Sequence, residues 1–426
     1  MGFIVSMAAG LGVVLCAETL ILLGNGVGRG GAWLLVFIVA GVGLHLLGAF
    51  THYVDFSGPR DETRLLQRTL GGTASVVFPL AGRAAVAVVA STGLLATAGF
   101  VFNEVFVYWF PNFLFAFLLL GMILAVNLAG RRVWGGFQVL AVLAALTGLA
   151  VLIVAGLGWT PTPNPASAPA PAASLPRAAD TGSWLRLALL AVLIPVGYDL
   201  AFLADGAGFG QHRRSPAAAV LLGSFALVLW GFVSLRWVDA ARLAETTIPY
   251  TVAARAILGQ EGRIIMGIVI ISGAAGAINS LFGGISRMMA GMSEAGLAPA
   301  FLGKPRFGER VPVLLLGAAT TAMLLSGMAG SDHLDGFLRG GLVLWLIHYA
   351  VLHLAAFLSG RHDDSRPVRR MAHLLGALIL ALAALGLWVL DEERQVMAVF
   401  MFIVVGAVLI LGLLWTGLAR NWDQGR

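Results

Sequence analysis

Four carboxylates lie within stretches of sequence that are otherwise apolar: Glu18, Glu104, Asp199 and Asp205. An ionisable side chain inside a membrane-length apolar segment costs about 3 kcal/mol or more, so such groups are functional candidates by default. An ionised carboxylate there can hold a cation or an ammonium group; a neutral one can carry a proton. Glu18 sits in the polar patch Cys16, Ala17, Glu18, Thr19, and Asp199 closes the run Ile194, Pro195, Val196, Gly197, Tyr198. Pro195 removes a backbone donor and Gly197 weakens a helix, so this run is a natural place for a helix to break. Glu104 is expected near the outer end of its segment, either as a vestibule gate or as an acid that simply reaches water. Asp205, beside Gly206 and Gly208, reads as an acid solvated at the inner interface. His45, His348 and His353 also fall in apolar segments, where a lone histidine ordinarily hydrogen-bonds a neighbouring helix. His348 and His353 are five residues apart, off the spacing that stacks two ligands on one helix face. The sequence shows no phosphate loop, dinucleotide fingerprint, zinc-protease motif or nucleophile elbow, so no enzyme reading has residues to carry it, and no cofactor or metal is implied.

These residues need elements to hold them, and composition names the solvent. Of the 426 residues 59% are hydrophobic and 11% charged, against about 25% charged in soluble domains; mean hydropathy is +0.91. That places the chain in a lipid bilayer and excludes a soluble enzyme, a disordered chain and a nucleic-acid binder. A helical crossing needs about 20 mostly apolar residues. Twelve such runs are present: 4–24, 32–50, 84–108, 112–130, 134–158, 185–205, 217–235, 263–287, 311–330, 340–358, 372–390 and 396–418. They show no alternation of period two, which excludes a transmembrane barrel. With the N-terminus inside, 18 of the 27 basic residues fall in inner segments and 9 in outer ones. That bias predicts a multi-pass protein of the cell membrane with both termini cytoplasmic. The first cation is Arg29, beyond the first apolar run, so no cleavable signal peptide is read. The single cysteine, Cys16, excludes an intramolecular disulfide.

The connections divide the chain. The Pro/Ala/Ser-rich stretch 161–176 reads as an extended external linker. Five crossings precede it, five follow and two remain. Five crossings invert orientation, so two sets of five would be related as an inverted repeat: 1–158 and 185–358, joined by 159–184, with 359–426 forming two peripheral helices. The polar patches at 16–19 and 194–199 open the two halves, as paired helix interruptions do in transporters. The segment 236–262 is expected to form short helices over the outer face. The stretch 52–80 is expected to stay inside without spanning, and 288–311 to be a basic inner loop. Gly223, Gly283 and Gly284 read as packing residues.

Two motif groups resemble the amino acid–polyamine–organocation (APC) superfamily of permeases. The eighth run and its sequel carry Ser272, Asn279, then Ser286-Arg287-Met288-Met289-Ala290-Gly291-Met292-Ser293-Glu294-Ala295-Gly296-Leu297-Ala298-Pro299, Lys304 and Val311-Pro312. The sixth carries Pro195-Val196-Gly197-Tyr198-Asp199, then Ala204-Asp205 and Arg213-Arg214-Ser215-Pro216; Asn127, Gly130 and Gly136 before and within the fifth also fit. The resemblance implies an all-α polytopic fold of the LeuT type, about 12 transmembrane helices in a 5+5 inverted repeat plus two, with the first and sixth helices unwound around a substrate. It also has departures. Amino acid permeases of this family place a Gly-small-Gly stretch in the first helix to hold a carboxylate, whereas this chain has Cys16-Ala17-Glu18. Pro195 stands where an aromatic gate is common, and 134–158 holds no lysine of the kind some proton-coupled relatives use. Ser272 could contribute to a sodium site, but the usual Ser/Thr pair is missing.

The resulting expectation is a secondary active transporter of an amino acid or small organic amine, working by alternating access and coupled to protons, with sodium coupling or a non-transporting ligand-sensing receptor as alternatives. A channel would require the buried acids to line a continuous pore, which nothing in the sequence favours. Substrate would be bound by Cys16, Ala17, Glu18, Thr19, Ile194, Pro195, Val196, Gly197 and Tyr198. Coupling or gating would fall to Glu18, Glu104, Asp199, Ser272 and Asn279, with Glu18 and Asp199 facing one another.

Overall fold

The structure is a computed structural model that describes residues 2–55, 59–158, 181–204, 214–304, 308–331, 333–359 and 367–424. Asp205 and the whole Pro-rich stretch 161–176 lie outside the described residues. In chain order the elements are α1 (Phe3–Val14), α2 (Ala17–Gly30), α3 (Ala32–Asp55), α4 (Pro59–Leu70) and α5 (Gly72–Pro79). A π-helical turn (Leu80–Ala84) leads into α6 (Ala85–Val101), and a second (Phe102–Phe106) ends it. Then follow α7 (Asn112–Leu128), α8 (Arg131–Gly158), α9 (Thr181–Leu193), α10 (Leu200–Ala204), α11 (Ser215–Trp237) and α12 (Ala240–Glu245). The chain closes with α13 (Pro249–Glu294), α14 (Arg310–Leu325), α15 (His333–Ser359), α16 (Pro367–Leu390) and α17 (Arg394–Gln424).

Among the described residues, eight helices are long and apolar enough to cross a bilayer, one bent pair forms a ninth crossing, and three shorter apolar helices bring the number to twelve. Each of the twelve apolar runs maps to one of them. The fold is therefore all-α and polytopic, of the LeuT type. Its exposed surface is lined by groups such as Phe402, Ile410 and Leu414 on α17 and Leu382 on α16, as expected where the solvent is lipid.

The third crossing differs from its expected limits. It starts at Gly72 rather than 84 and runs to Phe106, so the end of the stretch expected to stay inside is part of the membrane helix. Thr181 already opens α9, so residues 181–184 belong to the sixth crossing rather than to the linker. The segment 236–262 does form short helices: α12, and an arm at the start of α13 that turns at Gly259 (φ 62°). Alternating crossings put α4 at one face of the bundle and α12 at the other; these are the α4 face and the α12 face below.

Both expected breaks are present. The first crossing bends by 51° between α1 and α2. Leu15 leaves helical geometry and Cys16 is extended, at φ −75° and ψ 167°. The sixth crossing is non-helical from 194 to 199. There Gly197 takes φ 101°, a left-handed value that an L side chain rarely adopts. Small residues hold the broken helices close: a Cβ on Gly10 would lie 2.9 Å from Tyr198 O, and one on Gly12 would lie 2.8 Å from Gly276 O. Gly223, Gly283 and Gly284 are packing sites too, with a Cβ meeting Val14, Trp134 and Leu200 at under 3 Å.

Candidate functional site

The two breaks face one another. A Cβ on Gly197 would sit 2.4 Å from Val13 Cγ1, and one on Gly273 of α13 would sit 2.8 Å from Leu15 O. Ile194, Val196 and Tyr198 are buried, as are Cys16, Ala17 and Thr19, and Pro195 and Gly197 with them. Cys16 Sγ lies 3.5 Å from Thr19 Oγ1 across the first turn of α2. The opening N–H groups of α2 have no carbonyl within their own helix to accept them, which makes the break a place for a polar ligand atom.

Glu18 occupies that same turn. It is half-buried and has no hydrogen-bond or ion-pair partner among the described residues. A Cβ on Gly93 of α6 would lie 3.2 Å from Glu18 Oε1 and 3.6 Å from Leu334, so the carboxyl faces α6 and the start of α15. Asp335 is its acidic neighbour.

Asp199 is placed differently from expectation. It does not face Glu18; both its oxygens are engaged elsewhere. Arg83 Nε donates to Asp199 Oδ2 at 2.7 Å, and the Tyr349 hydroxyl donates to Oδ1 at 2.5 Å. The same guanidinium donates from Nη1 to Glu62 Oε1 at 2.8 Å, from Nη2 to Oε2 at 3.3 Å, and from Nη1 to Met288 Sδ at 3.4 Å. His348 Nε2 stands 3.1 Å from Glu62 Oε1 without being aligned as a hydrogen bond, and Nδ1 has no partner among the described residues. Arg83, Asp199 and His348 are fully buried and Glu62 is 2% exposed. The cluster ties α4, the first π-helical turn, the sixth-crossing break and α15 together. Around it Tyr198 packs 5.6 Å from Tyr349, and His45 packs 5.4 Å from Tyr198 while its Nε2 meets Val192 O at 2.8 Å.

Arg83 and Glu62 were not among the expected site residues. Arg83 stands at the edge of the apolar run as drawn from 84, where an arginine reads as an inner-loop cation. The usable signal was Asp199 itself: a deep acid demands a counter-charge, and Arg83 is flanked by Pro79-Leu80-Ala81-Gly82 and Ala84-Ala85-Val86. His353, expected to bond a neighbouring helix, stands with its Nδ1 3.2 Å from Nδ1 of His373 on α16.

The remaining expected residues lie apart from the breaks or serve them indirectly. Glu104 is in the second π-helical turn, exposed, 3.3 Å from Arg263 Nη2, which also donates to its carbonyl at 2.7 Å. The Ser272 hydroxyl donates to Ile268 O at 2.6 Å on its own helix. Asn279 is buried in an amide bracket. Asn127 donates to its Oδ1 at 2.9 Å, its Nδ2 donates to Gln138 Oε1 at 2.8 Å, and Gln138 Nε2 donates to Ala8 O at 3.0 Å. Through these bonds α13 holds α7, α8 and α1. Asn279→Ala takes a partner from the buried Gln138, worth about 1–3 kcal/mol, and from the half-buried Asn127, so its thermal midpoint in detergent falls clearly below that of wild type; an unchanged midpoint would remove the bracket from the stability of the bundle. No group of three or more metal-ligating side chains occurs among the described residues. The surface groove over Thr147, Val151, Val154 and Gly158 is lined by α8 alone and touches neither break.

The sequence matches the amino acid permease family model over residues 2–419. The chain belongs to that family. With its broken first and sixth crossings, this permease is an APC-superfamily membrane transporter. A solved structure of the Eremococcus coleocola manganese transporter, in complex with an aromatic bis-isothiourea substituted compound, matches it with a TM-score of 0.57 at 13% identity, covering 98% of this chain and 94% of that one. At that identity the likeness speaks for the fold of the permease and not for its cargo. No curated protein sequence matches it.

Proposed function

We propose that this permease is a secondary active transporter that moves an amino acid or small organic amine across the cytoplasmic membrane by alternating access, coupled to protons. Its two inverted repeats would span 1–158 and 185–358, with 359–426 peripheral and both termini cytoplasmic. The observation that carries the reading is the Glu18 carboxylate, half-buried and without a partner among the described residues, in the first turn of α2 just past the first-crossing break. An ammonium group is its natural counter-ion, and burial strengthens that pairing relative to water. The α2 N–H groups beside Cys16 and Ala17 suit a carboxylate or other acceptor of the same small molecule. Ile194, Pro195, Val196, Gly197 and Tyr198 would close on it from the sixth crossing, and Thr19 would line it from the first. Rocking the bundle about this midplane point would present it to each side in turn.

The test is uptake of labelled amino acids and small amines into proteoliposomes under an imposed pH gradient, with wild type and Glu18→Gln side by side. Wild type accumulates substrate. Glu18→Gln raises KM for amine-bearing substrates about tenfold, the loss of one partly solvated charge pair. Saturable binding without accumulation would identify a receptor instead, and accumulation driven only by a sodium gradient would replace the proton by sodium. Equal KM for both proteins would take the ammonium away from Glu18.

A further inference from the structure

The buried cluster at the sixth-crossing break has an odd number of charges. Arg83 contributes one positive charge, and Glu62 and Asp199 one negative charge each, all at 0–2% exposure. Asp199 is satisfied as an anion by Arg83 and Tyr349, and Glu62 by the fork of the same guanidinium. One uncompensated negative charge therefore remains in a site without solvent, which is costly unless another group neutralises it. The group in place is His348, its Nε2 3.1 Å from Glu62 Oε1 and its Nδ1 unpartnered among the described residues.

We propose that His348 is the proton-binding residue of this permease, and that its protonation holds the α4 face closed. This deepens the alternating-access reading above by naming the coupling group; it assigns that role to neither Glu18 nor Asp199. Neutral His348 presents Nε2–H toward Glu62, and the proton arrives from water at Nδ1. The imidazole becomes imidazolium and no other bond changes. The cluster then sums to zero and locks α4, α15 and the first π-helical turn onto the break. Loss of the proton leaves one net negative charge, and the cluster is relieved by coming apart and admitting water from the α4 side.

Among the described residues, the charges acting on His348 are those of the cluster itself. Glu62 faces His348 from α4, Arg83 from the π-helical turn, Asp199 from the sixth crossing, and Tyr349 from its own helix. His45 of α3 lies on the other side of Tyr198 and Tyr349, 5.4 and 6.4 Å from their rings, with its Nε2 on Val192 O, and His373 of α16 is engaged with His353. α5 and α6 contain no ionisable residue. At the opposite end of α15, Arg339 donates to Glu393, just before α17, and Phe337 stacks on Phe400 of α17.

Cys16 gives a direct readout, because it is the sole cysteine and sits at the first-crossing break. Its labelling by a membrane-impermeant maleimide is measured in vesicles of each orientation from pH 5.5 to 8. The ratio of α4-face to α12-face rates is taken, which cancels the thiol's own ionisation. In wild type the ratio rises about tenfold with pH. In His348→Gln, where the cluster stays negative, the ratio is high at every pH; in Glu62→Gln, where it is neutral without a proton, the ratio is low at every pH. Opposite shifts in the two variants separate the proposal from misfolding, which would expose Cys16 to both faces equally. A flat wild-type profile, or variants that shift in the same direction, overturns it. Because no substrate is used, a switching profile in a protein whose uptake ignores the pH gradient would uphold the His348 gate and reject proton-coupled transport.

Discussion

Arg83→Met lowers the stability of the folded protein by about 3–5 kcal/mol, the cost of stripping the partner from a buried charge pair. Two carboxylates depend on this guanidinium, Asp199 through Nε and Glu62 through Nη1 and Nη2, and neither has water to turn to. Methionine matches much of the aliphatic stem, so the loss reports charge rather than volume. Thermal or denaturant unfolding in detergent measures it. The decisive comparison is the triple variant Arg83→Met, Glu62→Gln, Asp199→Asn, which removes every formal charge that the cluster holds before His348. It should recover most of the stability, since replacing a buried ionic group as a set is often close to neutral. A triple variant no more stable than Arg83→Met would show that geometry, and not charge balance, holds these helices.

Gly197→Ala should be the most damaging single-methyl change in the sixth crossing, on the order of 3 kcal/mol. Two costs combine. A left-handed φ of 101° is strained for any residue with a Cβ, by about 1–3 kcal/mol. The new methyl would also stand 2.4 Å from Val13 Cγ1 and 2.8 Å from Val13 Cβ, an overpacking penalty of about 1–3 kcal/mol. Val13→Ala in the same chain removes Cγ1 but keeps Cβ, so it relieves only part of the second cost, and the double variant should melt between Gly197→Ala and wild type. If Gly197→Ala melts with wild type, the break does not require its left-handed residue, and the contact between the two broken crossings is looser than the structure shows.

The crossings were legible because apolar length is a local property that needs no knowledge of neighbours. The same holds for the sixth-crossing break, where Pro195 and Gly197 carry their backbone effects with them. Cys16 and Glu18 marked the other break through polarity alone. The Arg83 cluster was not legible. Its pairs are 21 and 116 residues apart in sequence, and an arginine at the margin of an apolar run has the same local signature whether it faces water or a buried acid. The expected meeting of Glu18 with Asp199 failed for the same reason: a deep acid announces that it needs a partner, and only the packed helices show which one it has. Asn279 was singled out by its motif, but its work as a bracket depends on Asn127 and Gln138 arriving from two other helices.

The two π-helical turns give the third crossing an unusual relation to insertion and deletion. Each accommodates one residue more than an α-helix needs, so each behaves as a stored insertion. Loss of a single residue elsewhere in a membrane helix rotates everything beyond it by about 100° and turns buried faces toward lipid. Loss of one from Leu80–Ala84 would instead let that turn relax into regular helix, sparing the packing of Ala85–Val101 while swinging Arg83 off its carboxylates. The chain thus carries, at one position, a difference between helices that is a single codon wide: with the extra residue the crossing aims a cation at the centre of the bundle, and without it the same crossing is an ordinary apolar rod.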